Sequence, residues 1–160
     1  ISNSPLSIAD VDLVDLLDDV QNDLRQMIVE TDAVINVGRL PTDLQADRSR
    51  LYQLLQNLLS NAMRYQRTNE PPEITIQVRP QREHYLFRVA DNGVGIDPTY
   101  HEQIFVLFKS LDNKSIHNSS GIGLATAKRV VEDHLGQIWV EPNKPHGSVF
   151  CFTLSRHLTL

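Results

Sequence analysis

The chain has 160 residues, 41% of them hydrophobic and 22% charged, and a formal net charge of −5 at pH 7. That length supports one domain with a core of its own, and the acidic balance excludes general binding to nucleic acid or to an anionic membrane, which calls for a basic surface. A lone cysteine, Cys151, excludes an internal disulfide and points to a reducing compartment. No apolar run approaches a membrane span, and no signal-peptide pattern opens the sequence. Because it begins at Ile1 without methionine, the sequence is expected to be a piece of a longer protein.

Ile1 to Asp10 carries little pattern and is expected to be a connector. Val11 and Leu13 suit a short strand. Leu16, Leu17, Val20, Leu24, Met27 and Ile28 then keep one helical period to about Glu30. Ala33 to Val37 alternates and is β-branched, which predicts a strand. Leu40 to Asp43 is a loop, and Asp47 is placed to cap a helix running to Tyr65. In that helix Leu51, Leu54, Leu55, Leu58, Leu59 and Ala62 fill one apolar face. Beside it runs a polar strip of Gln53, Asn57, Asn61 and Arg64, with Tyr65 at its border. Asn is a weaker helix former than Glu or Lys. Two of them four residues apart project side by side. The strip is therefore either an ordinary solvent face or a surface that holds a ligand through amide groups.

Pro71-Pro72 breaks the chain, and Ile74, Ile76 and Val78 alternate as a strand. Tyr85 to Ala90 makes its antiparallel partner, joined through Pro80 to Glu83. Asp91-Asn92-Gly93-Val94-Gly95-Ile96-Asp97 follows. It is either a tight turn, for which Asn-Gly is a strong signal, or a close approach of backbone to a flat ligand, with Asp91 as hydrogen-bond acceptor. Ile104 to Phe108 suits the core. Lys109 to Ser120 is polar and contains Lys109, Lys114 and His117, as a surface loop or a lid would. Gly121-Ile122-Gly123-Leu124 opens a helix to about His134, with Gly136 as its C-terminal stop. A glycine-rich helix entry offers free N–H groups and a positive dipole end to phosphate. Gln137 to Glu141 and Gly147 to Leu154 are the last strands, turned by Pro142 to His146. Phe150, Phe152 and Leu154 share the expected core face, with Cys151 on the other. Residues 155–160 are a tail.

Taken in order, Asn57-x-x-x-Asn61, Asp91-x-Gly93-x-Gly95, Phe105-x-x-Phe108 and Gly121-x-Gly123-Leu124 resemble the N, G1, F and G2 boxes of the catalytic ATP-binding domain of sensor histidine kinases, in the GHKL superfamily. The resemblance runs from Val11 to Leu154, and Gly121 to Leu154 looks most like phytochrome-type kinases. It implies a Bergerat-type α/β fold: an α+β two-layer sandwich with a mixed sheet on about three helices, residues 11–154 forming the domain.

The resemblance also implies ATP and Mg²⁺ as cofactors. By position, Asn61 would give an oxygen to Mg²⁺ and Asn57 would support the same region. Arg64 would reach phosphate, and Tyr65 would lie against adenine. Asp91 would accept from the adenine amino group, with Gly93 and Gly95 giving room. Ile96, Phe108, Lys109, Ser120, Gly121, Ile122, Gly123 and Leu124 complete the expected nucleotide contacts. Asn57, Asn61 and Arg64 are the residues expected to serve the reaction: transfer of the γ-phosphoryl group to a histidine in a separate dimerising domain, and onward to a response regulator. Three departures stand out. Ser119 replaces a common glycine of the G2 box, Leu135 replaces a frequent glycine after His134, and Asn57 stands where other GHKL branches carry a water-activating glutamate. His101-Glu102 lacks the setting of an acceptor histidine, so the acceptor is expected upstream. The family thus suggests a cytoplasmic, monomeric catalytic piece of a homodimeric parent. The alternative is an ATP-sensing module of the same fold that transfers nothing.

Overall fold

The computed structural model describes residues 5–67, 69–106 and 120–158. In chain order these form β1 (Ile8–Asp10), α1 (Leu13–Asp23), α2 (Arg25–Thr31), β2 (Val34–Val37), β3 (Gln45–Asp47), α3 (Arg48–Arg64), β4 (Glu73–Pro80), β5 (His84–Asp91), α4 (Ser120–Asp133), β6 (Ile138–Pro142) and β7 (Ser148–Ser155). Two 3-10 turns, Pro98–Tyr100 and Gln103–Phe105, lie between β5 and α4.

Five strands make one mixed sheet in the order β2-β4-β5-β7-β6. β2 runs parallel to β4, and the other neighbours are antiparallel. Along β4, Ile74, Ile76 and Val78 are buried while Glu73, Gln77 and Arg79 are exposed, so one face of the sheet meets the helices. Phe87 and Phe152, directly opposite in the β5–β7 register, stack with ring centroids 4.4 Å apart in the middle of that core. The expected α/β sandwich is the observed fold.

α3 is the helix on which the core closes. Asp47 caps it by accepting the Arg50 amide at 3.1 Å. Leu51, Leu54, Leu55, Leu58 and Leu59 are each 1% exposed or less, and each such burial is worth about 2 kcal/mol. β1 pairs with β3 in a separate small ladder that brings the start of the chain to the α3 cap.

Several expectations fail for local reasons. Leu13 opens α1 rather than a strand, because Asp12 caps the helix by accepting the Asp15 amide at 3.1 Å. The strand lies earlier, at Ile8–Asp10, inside the stretch read as a connector. The single helix expected to Glu30 breaks at Leu24, whose ψ is 10°; the apolar period continues across the break. α4 is stopped not by glycine geometry at Gly136 but by Leu135 at φ 60°, with the Gly136 amide donating to Val131 O at 3.0 Å. Gly136 is required for a different reason: a Cβ there would lie 1.7 Å from the Thr153 carbonyl. Cys151 faces away from the helices yet is fully buried, with Arg88 Nη1 3.5 Å from its sulfur, and burial pushes its thiol up to about 11. The segment read as a tail is fastened by Arg156, which lies over the Tyr85 ring and pairs with Asp43 at 3.1 Å.

Candidate functional site

The polar strip of α3 meets α4 at Asn57. Asn57 Nδ2 donates to the Gly123 carbonyl at 3.3 Å, and a Cβ on Gly123 would sit 3.6 Å from the Asn57 amide. That is ordinary van der Waals distance, so the approach does not itself require glycine. One turn on, Asn61 is 5% exposed and its Oδ1 accepts from Arg64 Nη1 at 3.0 Å. Arg64 also reaches Ser60 Oγ at 3.4 Å. These contacts come from the helix's own spacing, since residues three and four apart are neighbours on its surface.

Where α3 ends, Tyr65 ties it to the turn after β5. The Tyr65 carbonyl accepts the Val94 amide at 3.0 Å. A Cβ on Gly93 would come within 2.5 Å of that same carbonyl, so only glycine permits the approach. The Tyr65 ring is half-buried. Gly95 takes φ 78° and packs its backbone against Gly147, itself at φ 107°.

Asp91 closes β5 beneath this turn, 7% exposed. Its Oδ1 accepts two backbone amides, Gly93 at 2.9 Å and Ser148 at 3.2 Å. Among the described residues Oδ2 accepts none. Burial raises the carboxyl above its ordinary value, and the two amides pull it back. The group is therefore an oriented acceptor, one oxygen fixed by the protein and the other open to an amino group.

The predicted residues thus form two linked sets. Asn57 meets Gly123 where α3 lies against α4, and Asn61 and Arg64 meet one turn further along α3. Tyr65, Asp91, Gly93 and Gly95 meet at the end of α3. Ile96 is half-buried against the core, and Leu124, 4% exposed, is itself core. Ser120, Gly121 and Ile122 fall in the first turn of α4. Phe108, Lys109, Lys114 and Ser119 lie outside the described residues.

Sequence reasoning missed the supports behind Asp91. Asn143 Nδ2 holds the Asp91 carbonyl at 2.8 Å, and a Cβ on Gly147 would lie 2.0 Å from the same oxygen. Asn92 donates to Glu70 Oε1 at 3.2 Å and to the Pro71 carbonyl at 3.1 Å, while His146 Nε2 lies 3.4 Å from Glu70 Oε1. The glycine at position 147, read from the sequence only as the start of the last strand, was the one available signal, since it permits the φ of 107° found there.

Known proteins resemble this chain in sequence and fold. The family described as histidine kinase-, DNA gyrase B-, and HSP90-like ATPase matches residues 46–158. Cyanobacterial phytochrome A of Nostoc sp. is 42% identical over 138 residues, 86% of this chain and 18% of that protein. The methanogenesis regulatory histidine kinase FilI of Methanothrix harundinacea is 40% identical over 111 residues, 69% of this chain and 12% of that protein. The chain thus spans less than a fifth of either relative. Among solved structures, the nucleotide-free catalytic domain of histidine kinase ThkA superposes with a TM-score of 0.80 at 27% identity, covering 94% of this chain and 97% of that one. Full-length ShkA in complex with AMPPNP gives 0.79 at 27% identity, covering 96% of this chain and 32% of that one. With more than half of its residues inside the matched region, this chain belongs to the histidine kinase-, DNA gyrase B- and HSP90-like ATPases.

Proposed function

We propose that the chain is the ATP-binding catalytic unit of a sensor histidine kinase, passing the γ-phosphoryl group of ATP to a histidine in a separate dimerising domain of the same parent, from which a response regulator receives it. The observation that carries this reading is the Asp91 carboxylate, buried at the floor of a glycine turn with one oxygen open, at the end of the helix that presents Asn57 and Asn61. An acceptor in that place suits the amino group of adenine and disfavours guanine, which offers a carbonyl there. The complex of ThkA with its response regulator TrrA supports the onward partner. Dependence on ATP places the unit on the cytoplasmic side. Among the described residues no helix is long and apolar enough to cross a membrane.

The residues present fit a Mg²⁺ that arrives with the triphosphate. The strip offers neutral amide oxygens, and among the described residues no group of three or more His, Cys, Asp or Glu could hold a metal alone. Asn61 Oδ1, with help from Asn57, would hold it. When bound, the ion neutralises phosphate charge and orients the phosphates. Arg64, now on Asn61 Oδ1 at 3.0 Å, would turn to the same phosphates. Backbone amides at the start of α4 would receive them. The chain's work is positioning and charge compensation, which is most of what phosphoryl transfer needs. The acceptor imidazole nitrogen forms the new bond to phosphorus as the bond to the β–γ bridging oxygen breaks and ADP leaves. Position 57 carries an amide that cannot take a proton from water, so ATP is held for that acceptor rather than hydrolysed.

The test is to mix the chain with its own upstream histidine-bearing hairpin and γ-labelled ATP. Acid-labile, base-stable label on the hairpin is the expected result. AMPPNP binding with no label would leave an ATP-sensing module. Rapid hydrolysis by the chain alone would overturn the role given to Asn57.

A further inference from the structure

His134 occupies a junction that the nucleotide chemistry does not use. It follows α4, is 0% exposed, and has both ring nitrogens engaged. The Asp47 amide donates to Nε2 at 3.0 Å. A donor N–H needs a lone pair, so Nε2 carries no proton, and Nδ1–H donates to the Val130 carbonyl at 2.8 Å. The ring is thereby fixed as one neutral tautomer. Asp47 in turn caps α3 and accepts the Ser7 amide on Oδ2 at 2.9 Å, where β1 joins β3. The His134 carbonyl accepts the Ser155 amide of β7 at 3.0 Å. The entering chain, the start of α3, the end of α4 and β7 therefore meet around one imidazole.

The helices it joins are those that flank the candidate site. Beside it Arg50 Nη1 of α3 meets Asp133 Oδ2 of α4 at 3.3 Å, and toward the site the helices are tied by the Asn57–Gly123 hydrogen bond of 3.3 Å. Along α3, positions 47 and 57 lie about 15 Å apart, and along α4, positions 123 and 134 lie about 16 Å apart. α3 and α4 thus run antiparallel, with the Asn57–Gly123 tie at the site and both His134 and the Arg50–Asp133 pair at the other end.

We propose that His134 is a protonation-sensitive pin: its neutral ring holds the α3 cap to the end of α4, and acidification releases that hold and weakens nucleotide binding at the other end of the helix pair. The second half rests on the nucleotide reading of the site; the first does not. A proton on Nε2 would set two donors face to face and leave the buried Asp47 amide without an acceptor. Asp47 at the β3–α3 corner and Asp133 on α4 favour the charged ring, while Arg50 on α3 opposes it. β7 presents to His134 the Ser155 amide, which is uncharged. Burial outweighs the Val130 carbonyl and the two carboxylates, and holds the ring below its ordinary 6.5. Because the folded value is depressed, the stabilisation is whole above about pH 6.5 and is lost as pH falls through the folded value.

The test compares the chain with His134→Gln, whose side-chain carbonyl can still accept from Asp47 but does not titrate. Urea unfolding and AMPPNP affinity are followed from about pH 8 to pH 5, and the His134 ring and Asp47 amide are followed by NMR without nucleotide. The unsubstituted chain is expected to lose stability and affinity on acidification, affinity by at most about tenfold per pH unit, the limit for one proton. His134→Gln should lose clearly less of both. Parallel curves for the two proteins would overturn the pin. Should His134→Gln not fold, the NMR titration of the unsubstituted chain decides. A ring that titrates below its ordinary value, with the Asp47 amide moving in step, supports the pin; an ordinary titration or a still Asp47 amide overturns it. Absence of AMPPNP binding at about pH 8 sinks the nucleotide reading and the affinity claim together, while the stability curves and the Asp47 amide still decide whether the pin exists.

Discussion

The two halves of the candidate site are built differently. The Asp91 turn is held by backbone amides, by the Asn143 side chain and by contacts too close for any Cβ at Gly93 or Gly147. The α3 strip is held by side chains bonding to each other and to one carbonyl of α4. The first is a rigid acceptor, ready before a ligand arrives. The second is a set of donors and acceptors whose present partners a phosphate or a metal ion can replace. Substitutions at the glycines of the turn should therefore damage fold and binding together, and those in the strip binding far more than fold.

The largest expected effect is Gly147→Ala. Its Cβ would lie 2.0 Å from the Asp91 carbonyl, at a φ of 107° that alanine resists. Overpacking and backbone strain together should cost about 3 kcal/mol or more, measured by urea unfolding. A variant as stable as the parent would show that the turn can give way, and the contrast between the halves would fail.

Asp91→Asn sharpens the contrast within the turn itself. The amide oxygen can keep both backbone donors, but its NH₂ would face the adenine amino group, donor against donor. Loss of a hydrogen bond to a charged acceptor, about 1.5–3 kcal/mol, predicts roughly 10- to 100-fold weaker AMPPNP binding with little change in unfolding. Unchanged affinity would remove Asp91 from the site.

Asn61→Ala tests the other half. The Asn61–Arg64 contact is a bond within one helix, worth about 0.5 kcal/mol, and alanine is the better helix former. Stability should shift by less than about 1 kcal/mol, whereas Mg²⁺-dependent nucleotide affinity should collapse. A loss of stability as large as the loss of binding would make Asn61 a structural residue instead.

The same division explains what the sequence disclosed. α3 was legible because its leucines follow the helical period and Asp47 stands at its cap. β4 and β5 were legible because they alternate. β1 and β3, three residues each, are too short to show a period, and they exist only because the chain returns to pair them. Asn57, Asn61, Asp91 and the paired glycines belong to local patterns. Asn143 and Ser148 lie 52 and 57 residues from Asp91 and reach it only after β6 and β7 have joined the sheet. Supports of that kind leave no local trace, because what selects them is a distant backbone and not their neighbours.

The smallest effect is a titration, and it sets fold against ligand at one carboxyl. Burial raises Asp91 above its ordinary 3.8. A raised folded value means that the native state binds the proton more readily than the unfolded chain. The stability tied to this group is full below about pH 3.8 and is lost as pH rises through the folded value. Nucleotide binding runs the other way, since a protonated carboxyl is a poorer acceptor for the adenine amino group. As pH falls through that range, AMPPNP affinity should drop while the Asp91 contribution to folding improves. Subtracting the pH–stability and pH–affinity curves of Asp91→Asn from those of the parent isolates the two slopes. Opposite signs are what a preformed acceptor built for a ligand should give. Equal signs would mean that the ionised carboxyl serves the fold, and that the rigid half of the site is rigid for its own sake.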